Sequence, residues 1–269
     1  MGVRFYTYAS TMKRAMRVAA ERHARFVVLD RPNPIGGDVV AGPVLAEADV
    51  KGFVNHHPLP VRHGMTMGEL AGLFASEDRL DLRPEVVEIA GWRRRDTFER
   101  TGLVWSAPSP NLRTPRQVAL YPAIGLLEST NVTVGRGTDT PFEIVAAPWM
   151  DGEAVARRLG EAAVPGVAFE ATEVTPRSAV HSGKRCKGIR VRVTDGRAFE
   201  PIRTGLAIAR VLAELHPGDW DAEGMDMMLR HKPALAAVRA GRPIAEIEAT
   251  WSADLAAFTE RRARHLLYR

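Results

Sequence analysis

Phe26-Val-Val-Leu29 is a continuous apolar run that stops at Asp30 and is followed at once by Arg31-Pro-Asn-Pro34. The run is too short for a helix and carries no polar alternation, so it reads as a strand buried on both faces of a parallel sheet. Each proline pushes the residue before it out of the α region, and the chain must turn sharply where the strand ends. Such a strand needs helices around it. Ser10 is placed to cap one over residues 11–23, with Met12, Met16 and Ala19 on one face, and Thr66-x-x-Glu69 is a capping box that opens another. Residues 3–8, 86–89 and 142–146 read as further strands and 117–128 as a helix. This succession predicts an α/β fold built on a partial Rossmann-like parallel sheet, with its ligand beyond the C-terminal ends of the strands.

The pattern changes after residue 150. Asp151 caps a helix over 152–163, and strands follow at 167–174 and 188–194. The second alternates Ile189, Val191 and Val193 with outward Arg190 and Arg192. Helices are predicted over 201–215 and 224–239. A final long helix over 243–268 carries Ile244, Ile247, Trp251, Leu255 and Phe258 on one face. The expected division is residues 1–150 as a Rossmann-like domain and 151–269 as a smaller auxiliary α+β domain.

Composition removes several function classes. No apolar run approaches the roughly 20 residues of a membrane span, and no charged-then-apolar leader opens the chain. The net charge of +5 invites a nucleic-acid reading, but only five basic residues are lysine and the arginines are scattered, without an RNA-binding aromatic signature or zinc-finger spacing. Cys186 stands alone, so no internal disulfide forms; it reads as a small structural residue, with His181 too poorly placed to activate a thiol. No His-x-x-x-His or Cys-x-x-Cys framework supports a metal, and Gly135-Arg-Gly137 lacks the third glycine and following helix of a dinucleotide loop.

Three segments are polar, conformationally constrained and unlike core: Val28–Gly37, Arg62–Glu69 and, above all, Glu128–Trp149. The last holds two glycines, two prolines, four threonines, three carboxylates, an arginine and a tryptophan. Loops of that make-up build pockets for polar ligands. With Arg4-Phe-Tyr-Thr-Tyr8, Gly91-Trp92, Thr101-Gly-Leu-Val-Trp105, Pro108-Ser-Pro-Asn111, Cys186-Lys-Gly-Ile189 and His265-Leu-Leu-Tyr268, they run collinear with the exo-β-N-acetylmuramidases of bacterial cell-wall recycling, which this chain resembles along its whole length. Thr133-Val134 departs from the Ser-Glu usual there.

The resemblance implies a glycosidase that releases the terminal, non-reducing N-acetylmuramic acid from peptidoglycan fragments, secreted or periplasmic, without metal or organic cofactor. Its partners would be muramyl glycans rather than nucleic acid or membrane. It also implies a general acid in a Gly-Pro-Glu-His loop upstream of Arg4, a motif absent from this sequence, so the chain is expected to be an N-terminally truncated member. Non-catalytic glycan binding is then the alternative. Among residues present, Glu128 is the candidate acid, because a carboxyl at a helix C-terminus has its pKa raised. Asp30 is either a ligand group or a turn aspartate, and His63 either tunes a carboxylate or is a buried capping histidine. Arg31 and Arg136 are candidates for the lactyl carboxylate, which guanidinium binds bidentately; the alternative for Arg31 is a loop staple to Asp30 or Asp38. Tyr6, Asn33, Asn131 and Thr138 complete the expected sugar wall, with Trp149 as a platform. Glu143 is expected to be structural.

Overall fold

The computed structural model describes all 269 residues, which form two compact units. The first comprises Met1–Val104 and Ser252–Arg269, and the second Trp105–Trp251. The division expected near residue 150 falls elsewhere, because a cut there would split one sheet between its strands.

In the first unit, α1 (Tyr8–Glu21), β1 (Val27–Leu29), β2 (Ala41–Val44), β3 (Pro60–Arg62), α2 (Met67–Glu77) and β4 (Glu85–Val87) are closed by the late α9 (Ser252–Ala263). β1 pairs parallel with β4, Val27 opposite Glu85 and Leu29 opposite Val87. β2 and β3 form a separate antiparallel pair. The core is the apolar side of α2, with Leu70, Leu73 and Phe74 fully buried against Met16, Val28, Leu59 and Phe258. Burial of each such side chain stabilises by about 1.5–3 kcal/mol. α2 begins as its sequence requires: Thr66 accepts from the Glu69 amide at 3.2 Å and Glu69 accepts from the Thr66 amide at 3.0 Å.

Several local expectations are corrected. Residues 3–8 are not a strand: Val3 makes one isolated bridge to Arg62, and Tyr8 already opens α1, with Ser10 inside it. The segment is held instead by Arg4, fully buried, whose guanidinium donates to the Pro43 and Leu59 carbonyls. β1 is buried on one face only. Val28 points into the core while Val27 is 46% and Leu29 74% exposed.

The second unit contains α3 (Pro115–Ile124), β5 (Ile144–Ala147), α4 (Gly152–Glu161), β6 (Val167–Val174), β7 (Cys186–Val193), α5 (Pro201–Leu215), α6 (Asp226–Leu229), α7 (Lys232–Arg239) and α8 (Ile244–Ala249). Its sheet is antiparallel in the order β5-β7-β6, so β5 pairs with a strand some forty residues further on. Asp151 caps α4, its carboxylate accepting from the Ala154 amide at 3.0 Å. The helix expected over 224–239 breaks at Arg230, which sits at φ 48°. The long terminal helix is likewise two: α8 ends before Thr250 and α9 starts at Ser252 in the other unit. Its continuous apolar face is therefore shared, Ile247 and Trp251 serving the second core and Phe258 the first.

Candidate functional site

α3 tightens into a 3₁₀ turn at Gly125–Leu127 and delivers Glu128 into the polar loop that returns as β5. Two glycines shape this loop. Gly135 is at φ +84°, where a Cβ would lie 2.4 Å from the Thr140 carbonyl. Gly137 is at φ +80°, where a Cβ would lie 2.5 Å from the Ser178 carbonyl, so the loop can pack on the segment after β6 only without a side chain there. Thr138 turns the loop back on itself: its hydroxyl donates to Gly135 O at 2.7 Å and accepts from the Thr140 amide at 3.1 Å.

Glu128 faces Arg136 across this loop, Oε1 to Nη1 2.5 Å. Its carboxyl pKa is raised: burial pushes it up and outweighs Arg136, which pulls it down. Asn131 ties two distant segments together, donating to Asp219 O at 2.7 Å and accepting from the Asp221 amide at 2.9 Å. His181 Nε2 meets the Asn131 carbonyl at 2.7 Å. His181 and Asp219 carried no signal for this in the sequence, because the contacts join segments some fifty and ninety residues apart. Glu143 accepts from Gln117 inside the core at 3.1 Å. Cys186 is buried, and burial raises its thiol pKa.

Trp149 lies apart from Thr138, in a cleft of about 730 Å³ lined with Asp151, Glu153, Glu173 and Lys187. Its ring leans on His216, centroids 5.1 Å apart. Thr138 borders a smaller cleft of about 240 Å³, lined also by Asp139, Thr140, Thr175, Arg177 and Arg190.

In the first unit Asp30, Asn33 and His63 converge on the loop that precedes α2. Asp30 accepts from the Arg31 and Gly68 amides, each at 2.9 Å, from the Thr66 hydroxyl at 2.6 Å and from the Tyr268 hydroxyl at 2.7 Å. Four donors occupy both of its oxygens, and three of them come from outside its own turn. Asn33 is buried and donates to Met65 O at 3.1 Å. His63 is 1% exposed, its Nδ1 accepting from the Met65 amide at 3.2 Å. Its pKa is pushed down to about 3, chiefly by burial. These three side chains hold the loop before α2; Asn33 and His63 are buried, while Asp30 is half-buried. Tyr6 is half-buried against Tyr8, ring centroids 4.9 Å apart. Arg31 is exposed and makes no ion pair, so it does not staple the loop.

Residues 1–116 match the family model for the N-terminal part of exo-beta-N-acetylmuramidase NamZ, and residues 119–268 match that for its C-terminal part. The chain is 38% identical over 271 residues to the peptidoglycan beta-N-acetylmuramidase NamZ of Bacillus subtilis (strain 168), a match that takes in 100% of this chain and 65% of that protein. It thus spans just under two thirds of the length of this relative. Two crystal structures of DUF1343 family proteins from Bacteroides fragilis are also similar. One has a TM-score of 0.90 at 29% identity and the other 0.82 at 28%; each match covers 100% of this chain and 73% of the other.

Proposed function

The chain belongs to the exo-beta-N-acetylmuramidase NamZ family, and from that premise we propose that it acts in the hydrolysis of peptidoglycan fragments, releasing the terminal non-reducing N-acetylmuramic acid. The family match along both parts of the chain is the observation that carries this reading. Exposure of such a substrate outside the cytoplasm fits a secreted or periplasmic location.

Glycoside hydrolysis runs through an oxocarbenium-like transition state and needs a protonated group over the leaving oxygen. Among the sequence-predicted site residues, Glu128 alone combines a raised pKa with a place on the polar loop. It is protonated at higher pH than an ordinary carboxyl, which is what an acid working near neutrality requires. Asp30 and His63 act one step removed, by fixing the loop before α2. A second reading, glycan binding without turnover, is favoured by the Arg136 guanidinium, which stabilises Glu128 in its ionised form.

The two readings separate in one assay with a muramyl disaccharide. Hydrolysis with Glu128 as acid predicts release of muramic acid by the chain, and a loss of about 10²–10⁴-fold in Glu128→Gln with binding retained. Binding without release in the unaltered chain establishes the second reading. Neither binding nor release rejects both.

A further inference from the structure

The cleft between the loop 135–140 and the segment after β6 contains charge that the protein itself does not neutralise. Arg190 on β7 lies directly across the ladder from Glu170 on β6. A cross-strand pair would be expected there. Glu170 instead bonds Arg192, at 3.0 and 3.2 Å, and Glu173, further along β6, is held by Arg185 at 2.5 Å. Arg190 is left half-buried with no ion pair, and Arg177, brought alongside by the next loop, has none either. Both line the cleft of about 240 Å³, together with the Thr138, Thr140 and Thr175 side chains and one carboxylate, Asp139. The cleft is fixed before any ligand arrives: the Arg177 amide donates to Gly137 O at 2.9 Å, and Gly137 admits Ser178 only because it lacks a Cβ. By contrast Arg136, the arginine singled out on this loop by its sequence, is committed to Glu128.

We propose that Arg177 and Arg190 form a subsite for a sugar-borne carboxylate, with the Thr140 and Thr175 hydroxyls hydrogen-bonding the sugar. Guanidinium grips carboxylate through two parallel N–H···O bonds, and two uncommitted guanidiniums beside one aspartate leave a net positive cleft for one anionic group. Resting on the muramyl reading above, this subsite takes the lactyl ether carboxylate, the group that distinguishes N-acetylmuramic acid from N-acetylglucosamine.

The test is a titration of the full chain, followed by amide NMR shifts, with N-acetylmuramic acid, N-acetylglucosamine and lactate. It is repeated on Arg177→Met/Arg190→Met and on Arg136→Met, with melts to show that each variant folds. The expected result is perturbation at residues 137–140 and 177 by muramic acid, with affinity about tenfold or more lower in the double variant and little changed for N-acetylglucosamine. Muramic acid binding that survives in the double variant but is lost in Arg136→Met overturns the subsite and leaves the muramyl reading standing. Lactate bound in the cleft through both arginines, with neither sugar bound, upholds the carboxylate subsite and defeats the muramyl reading. No perturbation of the cleft by any of the three overturns the subsite.

Discussion

Glu69 has no solvent exposure, yet its carboxylate is fully partnered: it accepts from the Thr66 amide at 3.0 Å and the Leu267 amide at 2.9 Å and pairs with Arg94. Arg94 in turn donates to Gly64 O at 2.7 Å and Tyr268 O at 3.2 Å. Removing one partner strands a buried charge, so Arg94→Met is expected to cost about 3–5 kcal/mol in urea unfolding, and the double variant with Glu69→Gln less than the sum. Additive losses would show that the two groups do not act as a pair. Buried histidines set a pH dependence of their own. His56 and His63 both have pKa values pushed from 6.5 down to about 3, first by burial. Between those values the unfolded chain holds protons that the native chain refuses, so stability is fully present above about pH 6.5 and is lost as pH falls toward 3. Two such groups give a limiting slope of about 2.7 kcal/mol per pH unit. His63→Asn should lower that slope by half near pH 5, as read from urea midpoints across pH; an unchanged slope would exclude His63 as a source.

Among the elements, β1 and β4 are the least self-sufficient. They are a parallel pair of three residues each, and parallel sheets are otherwise found covered on both faces. One face here is bare: Leu29 is 74%, Val87 54% and Val27 46% exposed. The chain is expected to self-associate at micromolar concentration in sedimentation experiments, and Leu29→Lys to reduce that association. A monomer at every concentration, with or without the substitution, would show that the face needs no cover. The same strand marks how far the sequence could be read. Its apolar run fixes a strand and its parallel partner, but whether both faces are covered depends on what surrounds it. The capping box at Thr66 and the helix over Pro201–Leu215 were legible because their signals are local. The break at Arg230, a non-glycine residue in the left-handed region, has no such local signal. At the site, the raised pKa of Glu128 was legible in direction, though burial supplies it rather than the helix dipole. The unpaired state of Arg190 was hidden, because it follows from strand register and from Glu170 choosing Arg192.

At the scale of the whole chain, the first unit is completed by residues that the sequence places at the far end. The Tyr268 hydroxyl donates to Asp30 and accepts from the Ile89 amide at 3.1 Å, and its ring meets Trp92 edge-on at 5.1 Å. His265-Leu-Leu-Tyr268 is thus a clasp on that unit, which contacts across nearly the full sequence could not announce locally. Periodicity alone drew residues 243–268 as one helix and so missed the return of the chain. The proposed function rests on recognition of a muramyl end by this chain, and calorimetry with N-acetylmuramyl-N-acetylglucosamine against di-N-acetylchitobiose measures it most directly. The muramyl disaccharide should bind tighter by about tenfold or more, the worth of one charge-assisted carboxylate contact. Equal affinity for the two disaccharides, or none for either, would contradict it.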